Sequence, residues 1–486
     1  MQRNSRRSPR HSRRGPQRIV APSRNDPLLR KFTEGVGGPL GTHTAPGMVS
    51  PGFFTVERVL ILLTTAAALL AVLVKQPCRS GGWIVPDHFY SACYSDWPVL
   101  FSARGLAEGT FPFLTQGAQF EYPVLLGLLA GATALLVPGQ EEGATALRAL
   151  HYFDLNAILA SAAWIATVVA TMRMAGRRPW DAAMLAVAPA AILSMFINWD
   201  IFAVMLATLG MLAFARNRPV AAGVLIGLGT ALKLYPVVIL GAVLVLALRT
   251  LRLRPAVLAF AAAAGTWLAV NLPFMLRDFE AWRFFLSFTG DRPAGYSSVW
   301  FAWNLMVERA GGAGVDADFI NVWAYLIFAL ACIGIAVLAM RSGRRPRLAQ
   351  LAFLIVAAFI LTNKVYSPQF VLWLIPLVAL ARPRWLDFLI WQFFEVIHWW
   401  AIWMYLARES SGGAVENNLD APFYVLTVLG HVLATMWLMY RVVSDILYPE
   451  DDPVRRQGVD DPQGGPFDGA PDRWVLKLGT TADQVP

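Results

Sequence analysis

The chain has 486 residues, 56% of them hydrophobic and 15% charged, with a mean hydropathy of +0.50, proportions that exclude a water-soluble surface and predict a polytopic membrane protein. The formal charge of +9 is no nucleic-acid signal, because residues 1–50 set ten Lys/Arg against Asp26 and Glu34 and so supply +8 of it. Three cysteines exclude a disulfide-built scaffold and a Cys-rich zinc site.

Residues 1–55 lack an apolar core and read as a disordered basic tail that keeps the N-terminus cytoplasmic and near anionic lipid. No apolar stretch with a small-residue cleavage site precedes 59–74, so that run reads as an uncleaved signal anchor. The transmembrane region, 56–447, holds about 12 to 13 apolar runs. Two long external loops interrupt it, 76–120 and 276–317, and a polar stretch, 448–486, reads as a second disordered cytoplasmic tail. Basic clusters such as Arg177/Arg178, Arg249/Arg252/Arg254 and Arg344/Arg345/Arg347 mark the cytoplasmic side. They alternate correctly from Arg173 onward. Before it they do not, and one early segment must be re-entrant, split or misread.

Length arithmetic folds several runs. As one helix, Asp181 to Phe214 would be roughly 50 Å long against roughly 30 Å of hydrocarbon. Basic residues flank both ends, which predicts a hairpin with its apex at Asn198-Trp199-Asp200. The same reasoning places apices at Lys233-Leu234-Tyr235-Pro236 and at Asn363-Lys364-Val365-Tyr366-Ser367-Pro368-Gln369. All three face the side of the two loops. The first loop carries Cys93-Tyr94-Ser95-Asp96-Trp97-Pro98, Arg104 and, at its end, Glu121-Tyr122-Pro123; the second carries Arg277, Asp278, Arg283, Asp291, Arg292 and an aromatic run.

A loop carboxylate facing lysines on broken helices suits sugar transfer from a lipid phosphate to a hydroxyl. That reaction needs a general base for the acceptor and cations for the leaving phosphate. Asp96 is the candidate base; the alternative is a carboxylate capping a short helix at Ser95-Asp96-Trp97-Pro98. Lys233 and Lys364, with Tyr235, Tyr366 and Arg104, are candidates for the donor phosphate; the alternative for the lysines is snorkelling to headgroups. Asn198, Asp200, Glu121, Tyr122, Gln369 and His398 are candidates for sugar or acceptor hydroxyls. Asn198 and Asp200 read equally well as groups that satisfy backbone at a helix break, and His398 as the internal hydrogen-bonded partner of Glu395. That single Glu/His pair is weak evidence for a metal, and neither a metal nor another cofactor is expected. A secondary transporter or flippase is the competing class, since broken helices with buried charges describe carriers too. Cys78 and Cys93 stand on the side assigned to the oxidising compartment, as a disulfide or as two separate thiols, with Cys332 alone in an apolar run.

Several blocks together resemble glycosyltransferase family 87: Asn198-Trp199-Asp200, the Ala215–Pro219 turn, the Gly-rich run 222–229 and Lys233-Leu234-Tyr235-Pro236, with Cys93-Tyr94-Ser95-Asp96 and the 363–369 block similar to an actinobacterial branch. The resemblance spans about residues 55–445. It implies an all-α, GT-C-like membrane enzyme of the plasma membrane, with its active site external and both tails cytoplasmic. The implied reaction is an inverting transfer, typically of mannose, from a polyprenyl-phosphate sugar to a cell-envelope glycolipid or glycan, with Asp96 as base. One departure stands out. Members of that family carry a histidine pair before a Trp-Leu-x-Pro stretch, whereas here Pro368-Gln369-Phe370 precedes Trp373-Leu374-Ile375-Pro376.

Overall fold

The computed structural model describes residues 19–20, 26–37, 53–139, 145–457 and 460–476, and every regular element among them is helical. The principal helices are α1 (Val56–Val74), α2 (Val124–Leu135), α3 (Thr145–Ala175), α4 (Asp200–Ala215), α5 (Pro219–Leu232), α6 (Ile239–Thr250), α7 (Leu253–Arg277), α8 (Phe279–Asp291), α9 (Val299–Arg309), α10 (Ala317–Arg341), α11 (Leu348–Thr362), α12 (Val371–Ala381), α13 (Trp385–Ser411) and α14 (Ala421–Leu447). Five of these, α1, α3, α7, α10 and α14, are long and apolar enough to cross a bilayer. Shorter apolar helices, α4, α5, α6, α11 and α12, pack between them. The chain is an all-α membrane protein.

Helix α2 removes the parity conflict at the front of the chain. Its 12 residues span only about 18 Å, and both its ends stay on the side of the first loop. At its start Tyr122 meets Asp96 of that loop. Further along, the Ala130 carbonyl accepts from Tyr152 Oη at 3.0 Å, near the start of α3, and Arg148 Nη1 in turn donates to the loop carbonyl of Ala107 at 2.8 Å. Phe113 of the loop lies so close over Gly127 that a Cβ there would meet its ring at 2.5 Å. The antiparallel course of α1 and α3 agrees: Arg79 pairs with Asp154 at one end, 2.8 Å, and Glu57 with Arg173 at the other, 3.3 Å. Thus α2 begins and ends on the side of the first loop, as a re-entrant segment would, and Arg173 falls with the other basic clusters.

The apex at 198–200 forms as expected, but its first arm is not one helix. Pro179 opens a short 3-10 turn, and Ala188 is held extended ahead of Pro189, so the arm breaks into pieces at 179–182, 183–186 and 189–194. The second loop is largely helical, as α8 and α9.

The expectation of a loose C-terminal tail is overturned for the described residues. Asp452, Val454, Arg455, Asp461, Gln463 and Phe467 are buried. Asp452 pairs with Arg347 at 2.8 Å, both side chains fully buried, and Asp472 pairs with Arg249 at 2.7 Å and Arg345 at 2.8 Å. Asp461 accepts the first backbone N–H of α11, 2.7 Å, and Phe467 packs on Phe214. These arginines come from the short basic loops, and buried guanidinium groups need carboxylate and carbonyl partners. The acidic tail supplies many of them. At the N-terminus a helix, Pro27–Gly37, is likewise formed, and Asp26 ahead of it accepts from Trp385 N at 2.8 Å. The rest of the expected N-terminal tail, save residues 19–20 and 53–55, and the chain beyond 476 lie outside the described residues.

Candidate active site

The loop-side apices and the first loop enclose a cavity of about 700 Å³. Asp96 reaches it from a short helix, Asp96–Ala103, whose N-cap is Ser95: its hydroxyl accepts from Trp97 N. Capping by the preceding serine leaves the Asp96 carboxylate free to project. Three donors converge on it. Tyr94 Oη donates to Oδ1 at 2.7 Å, Asn198 Nδ2 to Oδ2 at 2.6 Å, and Tyr122 Oη to Oδ2 at 3.4 Å. Burial pushes the Asp96 carboxyl above its usual range, against the opposing pull of Tyr94, Lys233 and Asn198. A carboxylate raised this way is a better proton acceptor than an exposed one.

Lys233 sits where α5 ends and the backbone turns extended. Its ammonium lies 3.3 Å from Asp200 Oδ2 and 4.7 Å above the Tyr122 ring. Asp200 is fully buried and also accepts from Trp373 Nε1 at 2.7 Å; Trp373 itself is sandwiched by Tyr235 and Phe370. Across the cavity stands Arg292, at the end of α8.

Among the sequence candidates, Asp96, Lys233, Tyr235, Glu121, Tyr122 and Gln369 line the cavity. Six others are placed differently. Asn198 is buried behind Asp96, bonds it and Tyr122, and is not on the cavity wall. Asp200 sits behind Lys233 in the same way. Lys364 turns away and donates to the Gly290 carbonyl at 2.7 Å. Tyr366 is buried with its hydroxyl on Glu395, 3.3 Å. Arg104 is drawn to Glu121 at 2.6 Å and does not line the cavity. His398 is buried in a stack on His431, ring centroids 3.9 Å apart, and Glu395 takes His431, not His398, as its histidine neighbour at 3.6 Å. For Asn198, Lys364, Tyr366 and Arg104 the competing attraction is a carbonyl or carboxylate within reach, which a buried polar group must find; Asp200 is held by Lys233 and Trp373, and His398 by its ring stack.

The structure adds Arg292, Tyr94 and Trp373 to the site. Tyr94 was legible, standing two residues before Asp96 in the Cys93–Asp96 block. Arg292 carried no distinguishing signal among the charges of the second loop. Cys78 and Cys93 are joined in a disulfide, Cα atoms 5.7 Å apart, and Cys332 is free.

A protected carboxylate, a caged ammonium and a guanidinium gather around one cavity, at one end of a helical membrane bundle, as in a group-transfer enzyme. The chain belongs to glycosyltransferase family 87: the model of that family matches residues 120–362, half the sequence. Among solved structures, the crystal structure of ArnT from Cupriavidus metallidurans bound to undecaprenyl phosphate is similar over 80% of this chain and 78% of that one, at 14% identity and a TM-score of 0.41. No curated protein matches the sequence.

Proposed function

We propose that this glycosyltransferase transfers a monosaccharide, mannose first among candidates, from a polyprenyl-phosphate donor to a hydroxyl of a cell-envelope glycolipid or glycan, with inversion. The observation that carries the reading is the pairing of Asp96 with Lys233 and Arg292 around a single cavity. Asp96 takes the proton of the acceptor hydroxyl as its oxygen attacks the anomeric carbon. The bond from that carbon to the phosphate oxygen breaks, and the polyprenyl phosphate departs as a dianion. Lys233 and Arg292 neutralise the charge that accumulates there, an effect strengthened in a site that excludes water. No general acid is required, because phosphate is already a weak base.

An adjoining groove, also of about 700 Å³, shares Phe288, Arg292 and Tyr296 with the cavity and carries Asp291 and Glu308. Aromatic faces beside carboxylates suit a saccharide acceptor. The site is assigned to the external face of the plasma membrane, because the basic loops all lie at the opposite end of the bundle. The charges stand at helix ends and loops, not at mid-helix, which favours an enzyme over a carrier.

The deciding experiment uses purified protein in lipid nanodiscs with polyprenyl-phosphoryl mannose, glucose and arabinose as alternative radiolabelled donors and octyl α-mannoside as acceptor. Transfer from the mannosyl donor with inverted configuration is expected. Transfer only from another donor overturns mannose; binding of donor without any transfer overturns the enzyme reading. Labelling of Glu108→Cys by an impermeant maleimide in intact cells checks the orientation, and a site reached only after lysis overturns it.

A further inference from the structure

Beneath the Asp96 loop lies a lysine that the transfer chemistry does not use. Lys75 is the C-cap of α1 and is fully buried. Buried arginines at the other end of the molecule each hold carboxylates, but among the described residues Lys75 forms no salt bridge. Its ammonium instead donates to the backbone carbonyl of Tyr94 at 2.7 Å. Tyr94 is the residue whose hydroxyl donates to Asp96, and its neighbour Cys93 is tied to Cys78, three positions beyond Lys75. One residue is thus gripped three ways: covalently through its neighbour, by charge through its carbonyl, and through its hydroxyl to the carboxylate.

A buried cation left without a carboxylate partner is costly. Burial draws the Lys75 ammonium down to about 7, and the electrostatic influence that opposes this is Asp96. Removing the charge from so dry a position would be the simplest way to stabilise the fold, so a role for the charge is indicated. Around Asp96 the other facing groups are Tyr94, Asn198, Tyr122, Lys233, Asp200 and Glu121. Glu121 is already paired with Arg104, and Lys233 with Asp200. Of the two lysines whose charge reaches Asp96, Lys233 and Lys75, it is Lys75 that has no carboxylate of its own among the described residues.

We propose that Lys75 is a positioning residue for the candidate base: it pins the Tyr94 carbonyl so that the Tyr94 hydroxyl stays on Asp96, and its charge holds Asp96 in the ionised, proton-accepting form. The catalytic part of this rests on Asp96 being the base; the electrostatic part does not.

Dicyclohexylcarbodiimide, which reacts with protonated carboxyl groups in apolar sites, reads the proposal directly. The pH dependence of Asp96 modification is followed by mass spectrometry of its peptide in wild type, Lys75→Met and Lys75→Arg. Lys75→Met is expected to move the midpoint upward by about one pH unit, and Lys75→Arg to leave it near that of wild type. A folded Lys75→Met with an unmoved midpoint, or an equal shift in Lys75→Arg, overturns the proposal. Should Lys75→Met not fold, Tyr94→Phe keeps the carbonyl contact and removes only the hydroxyl. It must raise the midpoint and lower kcat with donor KM unchanged, and an unmoved midpoint overturns the relay. Retained transfer in Asp96→Asn would remove the base assignment while leaving the labelling result to stand on its own.

Discussion

The two ends of the helix bundle bury charge in opposite ways. At the end that carries residues 449–457 and 460–476, the central pair is closed: Arg347 spends its guanidinium on Asp452 and on the carbonyls of Leu380 and Ala381, with no exposure on either side chain of the ion pair. At the loop end the charges are caged but not closed. Asp96 and Lys233 each have partners behind them and a cavity in front, and Arg292 reaches the same cavity with its guanidinium over the Phe288 ring. Buried ion pairs with every bond satisfied hold elements in register, whereas polar groups fixed from behind and open in front are arranged for something that is not yet there. Equal burial therefore predicts unequal consequences of mutation.

The largest effect belongs to the open end. Asp96→Asn keeps the volume and removes the proposed proton acceptor, and is expected to slow transfer by about 10² to 10⁴. Thermal unfolding should stay within a few degrees of wild type; turnover above half of wild type would remove Asp96 from the role. Asp452→Asn reverses the pattern. Leaving Arg347 buried beside a neutral amide should cost about 3–5 kcal/mol of stability, read as loss of detergent-solubilised folded protein, with kcat of the surviving fraction unchanged. The pH sign follows. Arg347 holds the Asp452 carboxyl below its usual range, so the pair's contribution is full above the unfolded value and disappears as pH falls through the folded one. Wild type should lose stability at acid pH more steeply than Asp452→Asn, and parallel curves would break the comparison.

The sequence exposed the apices because span length and basic flanks leave a chain little choice. It was less clear about which side chains face the cavity, and the 363–369 segment shows why. Asn363, Val365 and Ser367 line the cavity, while Lys364 and Tyr366 point to Gly290 and Glu395. That is the two-residue alternation of extended backbone, so Lys364 and Tyr366 had to be placed together, either in or out. Choosing between the two needed the tertiary partner Glu395, far along the chain. Asn198 and Asp200 flank the start of α4 and serve different charges, Asp96 and Lys233, for which no spacing rule exists. The tail misled for a related reason: Asp, Pro and Gly describe disorder when alone, and the arginines that order them lie in other loops.

The Cys78–Cys93 bridge sharpens the contrast from the covalent side. Closing its loop should stabilise the folded first loop by about 3 kcal/mol in the chain-entropy model. Cys78→Ser/Cys93→Ser is expected to unfold at lower temperature and to lose activity through misplaced Asp96. Thiol labelling of intact protein should find one free cysteine, and three would exclude the bridge. A smaller loss is expected for Lys233→Met, which removes the proposed charge-assisted contact to phosphate; such contacts contribute about 1.5–3 kcal/mol. Donor affinity should fall roughly tenfold or more, and normal donor binding would show that Lys233 only neutralises Asp200.

Lys364 separates the two kinds of buried cation most finely, because it lies at the open end yet is bonded like a group of the closed one. Its ammonium ends on the Gly290 carbonyl in the last turn of α8, and Asn363 and Val365 occupy the cavity wall on either side of it. Burial and the nearby Arg292 draw its ammonium below the usual lysine range, with Asp291 and Asp318 opposing. Lys364→Met therefore removes one hydrogen bond from a charged group, worth about 1.5–3 kcal/mol of stability, and relieves a repulsion on Arg292. Donor affinity should stay within about twofold of wild type while Arg292→Met, one contact away, weakens it by the charge-assisted amount. A donor affinity that falls as far in Lys364→Met as in Arg292→Met would show that Lys364 swings from Gly290 to the phosphate when donor binds, and that the end called open is assembled by its ligand.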